Sequence, residues 1–218
     1  MKKAFTMIEL IFVLVVIGIL IAVILPSTRR NPLQEAAVQL QSHIRYTQHL
    51  ALVDDKFDAS DSNWYKKRWQ IVFSKGAAAN YQPAYTIFSD TAGSSTGNVN
   101  ATEVARNPEN SSQYMTGGYS GAIALDITKS NFNGMKRLNL GMKYGVTSVV
   151  LSGGCSNSRI AFDHLGRPLQ GDQSTMTGAY SAGTQRLITS DCNVTLSDGT
   201  SSITLTIRPE TGYVNTKF

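Results

Sequence analysis

Five groups of residues in this chain have the types and spacing to do chemistry. Glu9 is a single carboxylate inside a segment that is otherwise nearly all apolar, from Phe5 to Leu25. In hydrocarbon surroundings such a group costs roughly 2.5–3.5 kcal/mol on insertion scales unless a cation meets it. The free amine of a newly made N-terminus is a cation of the right kind. Asp163 beside His164 suggests acid–base work, yet adjacent strand residues point to opposite faces. Asp54, Asp55, Asp58 and Asp61 crowd a short stretch and could offer oxygens to calcium. Their spacing matches no EF-hand loop, and clustered Asp is equally at home in a solvated turn. Lys66, Lys67 and Arg68, set between Tyr65 and Trp69, could grip phosphates and stack bases; Lys136, Arg137 and Lys217 are further basic candidates. The plainer reading is that Lys66 and Lys67 open a strand in solvent.

The fifth group is Cys155 and Cys192, the only cysteines. In an oxidising compartment they would pair, closing a loop of 37 residues and stabilising the fold by roughly 3–4 kcal/mol. Zinc is the rival, but His43, His49 and His164 are scattered without zinc spacing. No Gly-x-Ser-x-Gly elbow precedes a helical pattern, and Gly117-Gly118 lacks the lysine and helix of a phosphate loop. The expectation is a protein that is not an enzyme, with no catalytic residue, cofactor or metal.

Those groups need elements to hold them. At 218 residues the chain has room for one apolar helix and one head. A net charge of +5, about +3 if Lys2 and Lys3 were removed (5 − 2), is too small to argue nucleic-acid binding by itself. Charged residues are sparse at 16%, while Gly, Ser, Thr and Asn abound, as in loop-rich β proteins outside the cytoplasm. The apolar run offers about 20 residues, enough to cross a bilayer. Lys2 and Lys3 before it would keep the N-terminus cytoplasmic. A cleavable signal peptide fits poorly, because Leu25-Pro26-Ser27-Thr28 has no small-residue cleavage pattern.

After Asn31-Pro32, Leu33, Ala36, Ala37, Leu40, Ile44, Leu50 and Ala51 recur at three and four, with Thr47 filling the gap. That period predicts an amphipathic helix to about Val53, needing a sheet to cover its apolar stripe. Period-two alternation predicts strands around Trp69-Ile71-Phe73 and Tyr85-Ile87. Further strands are expected at Ala122–Ile127, Val146–Leu151, Arg159–Phe162, Arg186–Thr189, Val194–Leu196 and Ile203–Arg208. Ser89 to Gly118 reads as a long exposed loop. The fold class expected is α+β: a long N-terminal helix, its first half membrane-spanning, packed on an antiparallel β-sheet head.

Lys2-Lys3-Ala4 followed by Phe5-Thr6-Met7-Ile8-Glu9-Leu10 closely resembles the class III signal of type IV prepilins and type II secretion pseudopilins. The resemblance implies cleavage by a membrane peptidase between Ala4 and Phe5 and methylation of the new Phe5 amine. It implies that Glu9 pairs with a neighbouring subunit's N-terminal amine, and that Pro26 bends the helix. Ala4 departs from the glycine usual before the cut. On this pattern residues 1–4 are a leader, 5–26 a transmembrane assembly helix, 27–53 the second half of the stem, and 54–218 a periplasmic head.

Two head segments are similar to the FimT/GspH-type minor pseudopilins: Ile160-Ala161-Phe162-Asp163-His164-Leu165-Gly166-Arg167-Pro168, and Arg208-Pro209-Glu210-Thr211-Gly212-Tyr213-Val214. The function implied is that of a minor subunit in a type II secretion or type IV pilus fibre, anchored in the bacterial inner membrane. Its partners would be other pilin or pseudopilin subunits, the prepilin peptidase and an inner-membrane assembly platform. The alternatives are a minor pilin whose head binds DNA for uptake, and an adhesin whose head loops bind a surface ligand.

Overall fold

The computed structural model describes residues 6–27, 31–92, 95–179 and 186–217, without the side chains of 22–27. The chain divides into two compact units, Met1–Asn31 and Pro32–Phe218. In the first, α1 covers Met7–Ser27. Thr6 starts it: its backbone N–H and its hydroxyl both donate to Glu9 Oε2, at 2.8 and 2.7 Å, and its Oγ1 accepts the Glu9 N–H at 3.4 Å. This is a reciprocal Thr-x-x-Glu cap, which satisfies N–H groups that the first turn would otherwise leave bare.

The structure corrects the membrane-spanning part of the expected fold. Among the described residues no helix is long and apolar enough to cross a membrane. The described apolar stretch runs from Met7 to Ile21, about 15 residues. At 1.5 Å per residue that is about 22 Å, against a hydrocarbon core of about 30 Å. The expectation counted on through Leu25, beyond the described side chains. The architecture is α+β overall, without the spanning first half, and the single-pass inner-membrane placement loses that support.

In the second unit α2 covers Pro32–Val53 and buries Leu33, Ala36, Ala37, Leu40, Ile44, Thr47 and Ala51. Thr47 sits in this stripe without cost because its hydroxyl donates to the His43 carbonyl at 2.8 Å. Two four-stranded antiparallel sheets supply the other wall. The first has β1 (Trp69–Ser74), β2 (Ala84–Ser89), β6 (Arg159–Phe162) and β7 (Pro168–Gln170) in the order β2-β1-β6-β7. The second has β5 (Ser148–Gly153), β8 (Cys192–Ser197), β9 (Ser202–Ile207) and β10 (Val214–Lys217) in the order β10-β9-β8-β5. Period two puts Ile71, Tyr85, Ile87, Ile160 and Phe162 of one sheet into the same core as Val194, Leu196, Leu205, Ile207 and Val214 of the other.

The segment expected to be an exposed loop, Ser89 to Gly118, is not one. It carries β3 (Arg106–Asn107) and β4 (Asn110–Tyr114). It also bonds along the outer edge of β2: Ala105 N–H to the Ile87 carbonyl, Ile87 N–H to Met115, and Gly117 N–H to Tyr85, at 2.9–3.0 Å. Val99 and Val104 join Val72, Phe88 and Leu125 in a second small core. The polar residues that made it read as loop serve its own backbone. Buried Glu103 accepts from the Ala92 and Asn100 N–H groups, and Asp90 Oδ2 accepts from the Gly97 N–H at 2.6 Å. Ile123–Leu125 is a 3-10 turn where a strand was expected. Leu187 makes only an isolated bridge to Leu169. A short helix α3, Leu140–Tyr144, is capped by Asn139, whose side chain accepts the Met142 N–H.

Candidate functional site

The residues with a candidate role do not converge on one cleft; they fall into a helix terminus, two surface regions and a buried network. At the helix terminus, every described side chain from Thr6 to Ile21 is exposed. Phe12 is 70% and Met7 81% accessible. A helix apolar on all sides is normally buried against something. Glu9 is the one charge on this surface, held toward the N-terminus by Thr6. Ala4 and Phe5 lie outside the described residues, as does the side chain of Pro26.

The first surface region is the basic stretch. Its three residues do not form an open cationic patch. Lys67 Nζ pairs with Asp61 at 2.6 Å, and Lys66 is half-buried. Arg68 is 3% exposed, donates to the Ala179 carbonyl at 3.2 Å and lies over the Trp64 ring. Sequence reading missed its burial because Arg68 immediately precedes an amphipathic strand and looked like part of a charge run. The signal was Trp64, four residues earlier, which supplies an aromatic face for a guanidinium.

The neighbouring acidic loop is also committed. Asp55 accepts the Phe57 N–H, Asp58 the Ser60 N–H and hydroxyl, and Asp61 the Asn63 N–H. Asp54 takes Lys56 and the Trp69 indole N–H. Ser60 holds the Asp58 carboxyl below its ordinary range, and Lys67 does the same for Asp61. These are turn-forming uses of Asp. Among the described residues no three His, Cys, Asp or Glu side chains converge in a way that could hold a metal. Asp163 likewise organises a turn: buried, it accepts the Leu165 and Arg167 N–H groups and the Arg167 guanidinium at 2.7 Å, while His164 points to solvent.

Cys155 and Cys192 form a disulfide with Cα atoms 5.0 Å apart. It ties the segment after β5 to the first residue of β8, beside the Gly153–Cys192 pair of the ladder. On α2, the polar residues Gln41, Arg45 and Gln48 clamp the C-terminal hairpin. Gln41 and Arg45 both donate to the Val214 carbonyl, and Gln48 Nε2 bridges the Gly166 and Thr211 carbonyls at 2.8 Å each. Two separate turns thus meet on one helix residue. Gly212, at φ +62°, is required there because a Cβ would lie 2.5 Å from Gln48 Nε2 and 2.6 Å from the Gly166 carbonyl.

The buried network centres on Tyr85, which is fully enclosed. Gln39 Nε2 donates to its hydroxyl at 2.9 Å, Tyr144 donates to Gln39 Oε1 at 2.8 Å, and His43 Nδ1 lies 2.7 Å from the Tyr85 oxygen. With Gln39 donating in, the Tyr85 proton goes to Nδ1 of a neutral imidazole. Burial, then the nearby Arg137 charge, hold His43 down to about 4. Burial drives the Tyr85 phenol upward. Tyr85 is fully enclosed, so the network ties α2 to β2 and to Tyr144 of α3.

The second surface region is an open polar groove of about 610 Å³, bordered by Asn107, Gln113, Phe132, Lys136, Arg137 and Lys143. Arg137 pairs with Glu109 at 3.0 Å. Lys136 and Lys143 are exposed and make no ion pair among the described residues. No family model, no curated protein and no solved structure matches this chain.

Proposed function

We propose that this chain is a non-enzymatic structural subunit of a pilus-like fibre, of the type II secretion or type IV pilus kind. It would join the fibre through α1 once a prepilin peptidase has cut between Ala4 and Phe5 and the Phe5 amine has been methylated. The single observation that carries the reading is the apolar, exposed surface of α1 from Met7 to Ile21 with one carboxylate at its head. Helices of neighbouring subunits would cover that surface by close packing. In that dry bundle Glu9 would need a cation, and the N-terminal amine of an adjacent subunit supplies one at the same level of the helix. The partners are other pilin-like subunits, the peptidase and an assembly platform.

Glu9 caps its own helix as well, so the test must separate capping from pairing. In cells assembling the fibre, Glu9→Val should lower incorporation by on the order of tenfold or more, the equivalent of about 1.4 kcal/mol. Thr6→Val, which removes the cap hydroxyl but keeps the charge, should reduce it far less. Equal losses in both variants would leave only a capping role. A mature N-terminus at Met1 on mass spectrometry would remove the processing step and the reading with it.

A second reading, DNA capture by the head, draws on a different place than the Lys66-Lys67-Arg68 stretch. Lys136 and Lys143 flank the polar groove with exposed ammonium groups that make no ion pair among the described residues, and Phe132 offers a stacking face. Binding of single-stranded DNA that weakens steeply with salt and is lost in Lys136→Glu/Lys143→Glu would favour it.

A further inference from the structure

Of the four edges of the two four-stranded sheets, two are bonded by neighbouring backbone and a third is bonded at a single carbonyl. The outer edge of β2 carries the Ala105, Met115 and Gly117 bonds, and β7 is met by Arg186 and Ile188, whose backbones bond Gln170 and Pro168. On β10 the Val214 carbonyl is taken by Gln41 and Arg45. The fourth edge, β5, pairs only with β8. No described backbone group outside β8 bonds to residues 148–153. Its sequence, Ser-Val-Val-Leu-Ser-Gly, has no charge, no proline and no bulge, which are the usual devices that keep an edge from pairing. Val150 is 54% exposed.

Beside that edge, between the two sheets, lies a pocket of about 170 Å³ lined on its apolar side by Phe73, Pro83, Ala84, Val149 and Leu151. Lys75 stands at its rim, exposed, with Nζ donating to the Thr147 carbonyl and no carboxylate partner among the described residues. A strand laid along β5 would point alternate side chains into this pocket. We infer that β5 is a docking edge for an extended segment of a partner protein, which adds a strand to the second sheet, seats one apolar side chain in the pocket and offers a carboxylate to Lys75. A second copy presenting its own β5 fits badly, because Val149 and Leu151 of that strand pack against its own core and leave no side chain to place in the pocket. The inference is independent of the fibre reading and would stand if α1 had no part in assembly.

The test uses the full chain in mild detergent and a fluorescein-labelled peptide, acetyl-Thr-Val-Thr-Leu-Thr-Asp-amide. Saturable binding is expected, with amide exchange slowed across Val149 to Ser152. Methylating alternate peptide amides should weaken binding by about tenfold or more, since each removes a ladder bond. Lys75→Glu, a surface change, should weaken it by about threefold. No saturation at millimolar peptide, insensitivity to amide methylation, or protection on another strand would overturn the inference. So would sedimentation showing a dimer that buries β5.

Discussion

Acid should act on this fold through one buried and one partly buried group that pull in opposite directions, Asp90 and His43. His43 is held at about 4, against 6.5 unperturbed. An imidazolium there would donate to the Tyr85 oxygen already occupied by Gln39, leaving the phenol proton without an acceptor. Its folded value is depressed, so its contribution is complete above pH 6.5 and is lost as pH falls through about 4. The difference of about 2.5 units corresponds to about 3 kcal/mol as an upper bound. Asp90 has the reverse sign. Burial pushes it up to about 6, opposed by the Gly97 N–H and reinforced by Glu103 and Asp172, and its Oδ1 has no hydrogen-bond partner among the described residues. Stability from its protonation is complete below the ordinary carboxylate range and is lost as pH rises through about 6.

Between pH 6 and 4 the two nearly offset, and wild type should show a shallow profile in urea titrations at pH 7, 5 and 4. Asp90→Asn removes the opposing group. That variant should lose stability steadily on acidification, by up to about 3 kcal/mol, all of it from His43. His43→Gln should do the opposite and gain stability from pH 6 toward 4. The lowered carboxyls of Asp58, Asp61, Asp126 and Asp198 titrate below this window. A flat Asp90→Asn profile, or acid loss in His43→Gln equal to wild type, would refute the argument.

Three further outcomes are expected. Gly212→Ala should cost about 2–3 kcal/mol in urea midpoints, combining left-handed backbone strain with the approach to Gln48 and Gly166; no change would mean the turn relaxes freely. Removing the Cys155–Cys192 bridge as a double Ser variant should cost about 4 kcal/mol for a 37-residue separation on the chain-entropy model, read by calorimetry; a loss below 1 kcal/mol would show that the unfolded chain is little constrained by it. Leu40→Ala, at a fully buried position under both sheets, should cost about 2–5 kcal/mol, whereas exposed Val38→Ala on the same helix should cost less than 1.

Where a pattern is local, it could be read directly. Leu33, Ala36, Ala37, Leu40 and Ile44 repeat at helical spacing and are buried together. Ile203, Leu205 and Ile207 alternate along one strand. The Thr6-x-x-Glu9 cap is likewise local, a Thr followed three residues on by a Glu at the start of an apolar run. The flap between β2 and β5 was not legible: its burial comes from backbone bonds to β2 and from Asp90 and Glu103 serving nearby N–H groups, which leave no period in composition. For a related reason, a charge run does not reveal that the Trp64 ring and the Ala179 carbonyl meet the Arg68 guanidinium.

The amino-acid order by itself determined the α2 stripe, the strand alternations, the only available cysteine pair and the solitary acid on an apolar helix, because each depends on neighbours a few residues apart. Only the tertiary structure decided which charges are paired, that Gln48 joins two distant turns, and that no described backbone outside β8 bonds to β5. Those outcomes depend on which backbone groups remain unpaired after the sheets close, and closure joins residues more than a hundred positions apart, as Gln48 and Gly166 are.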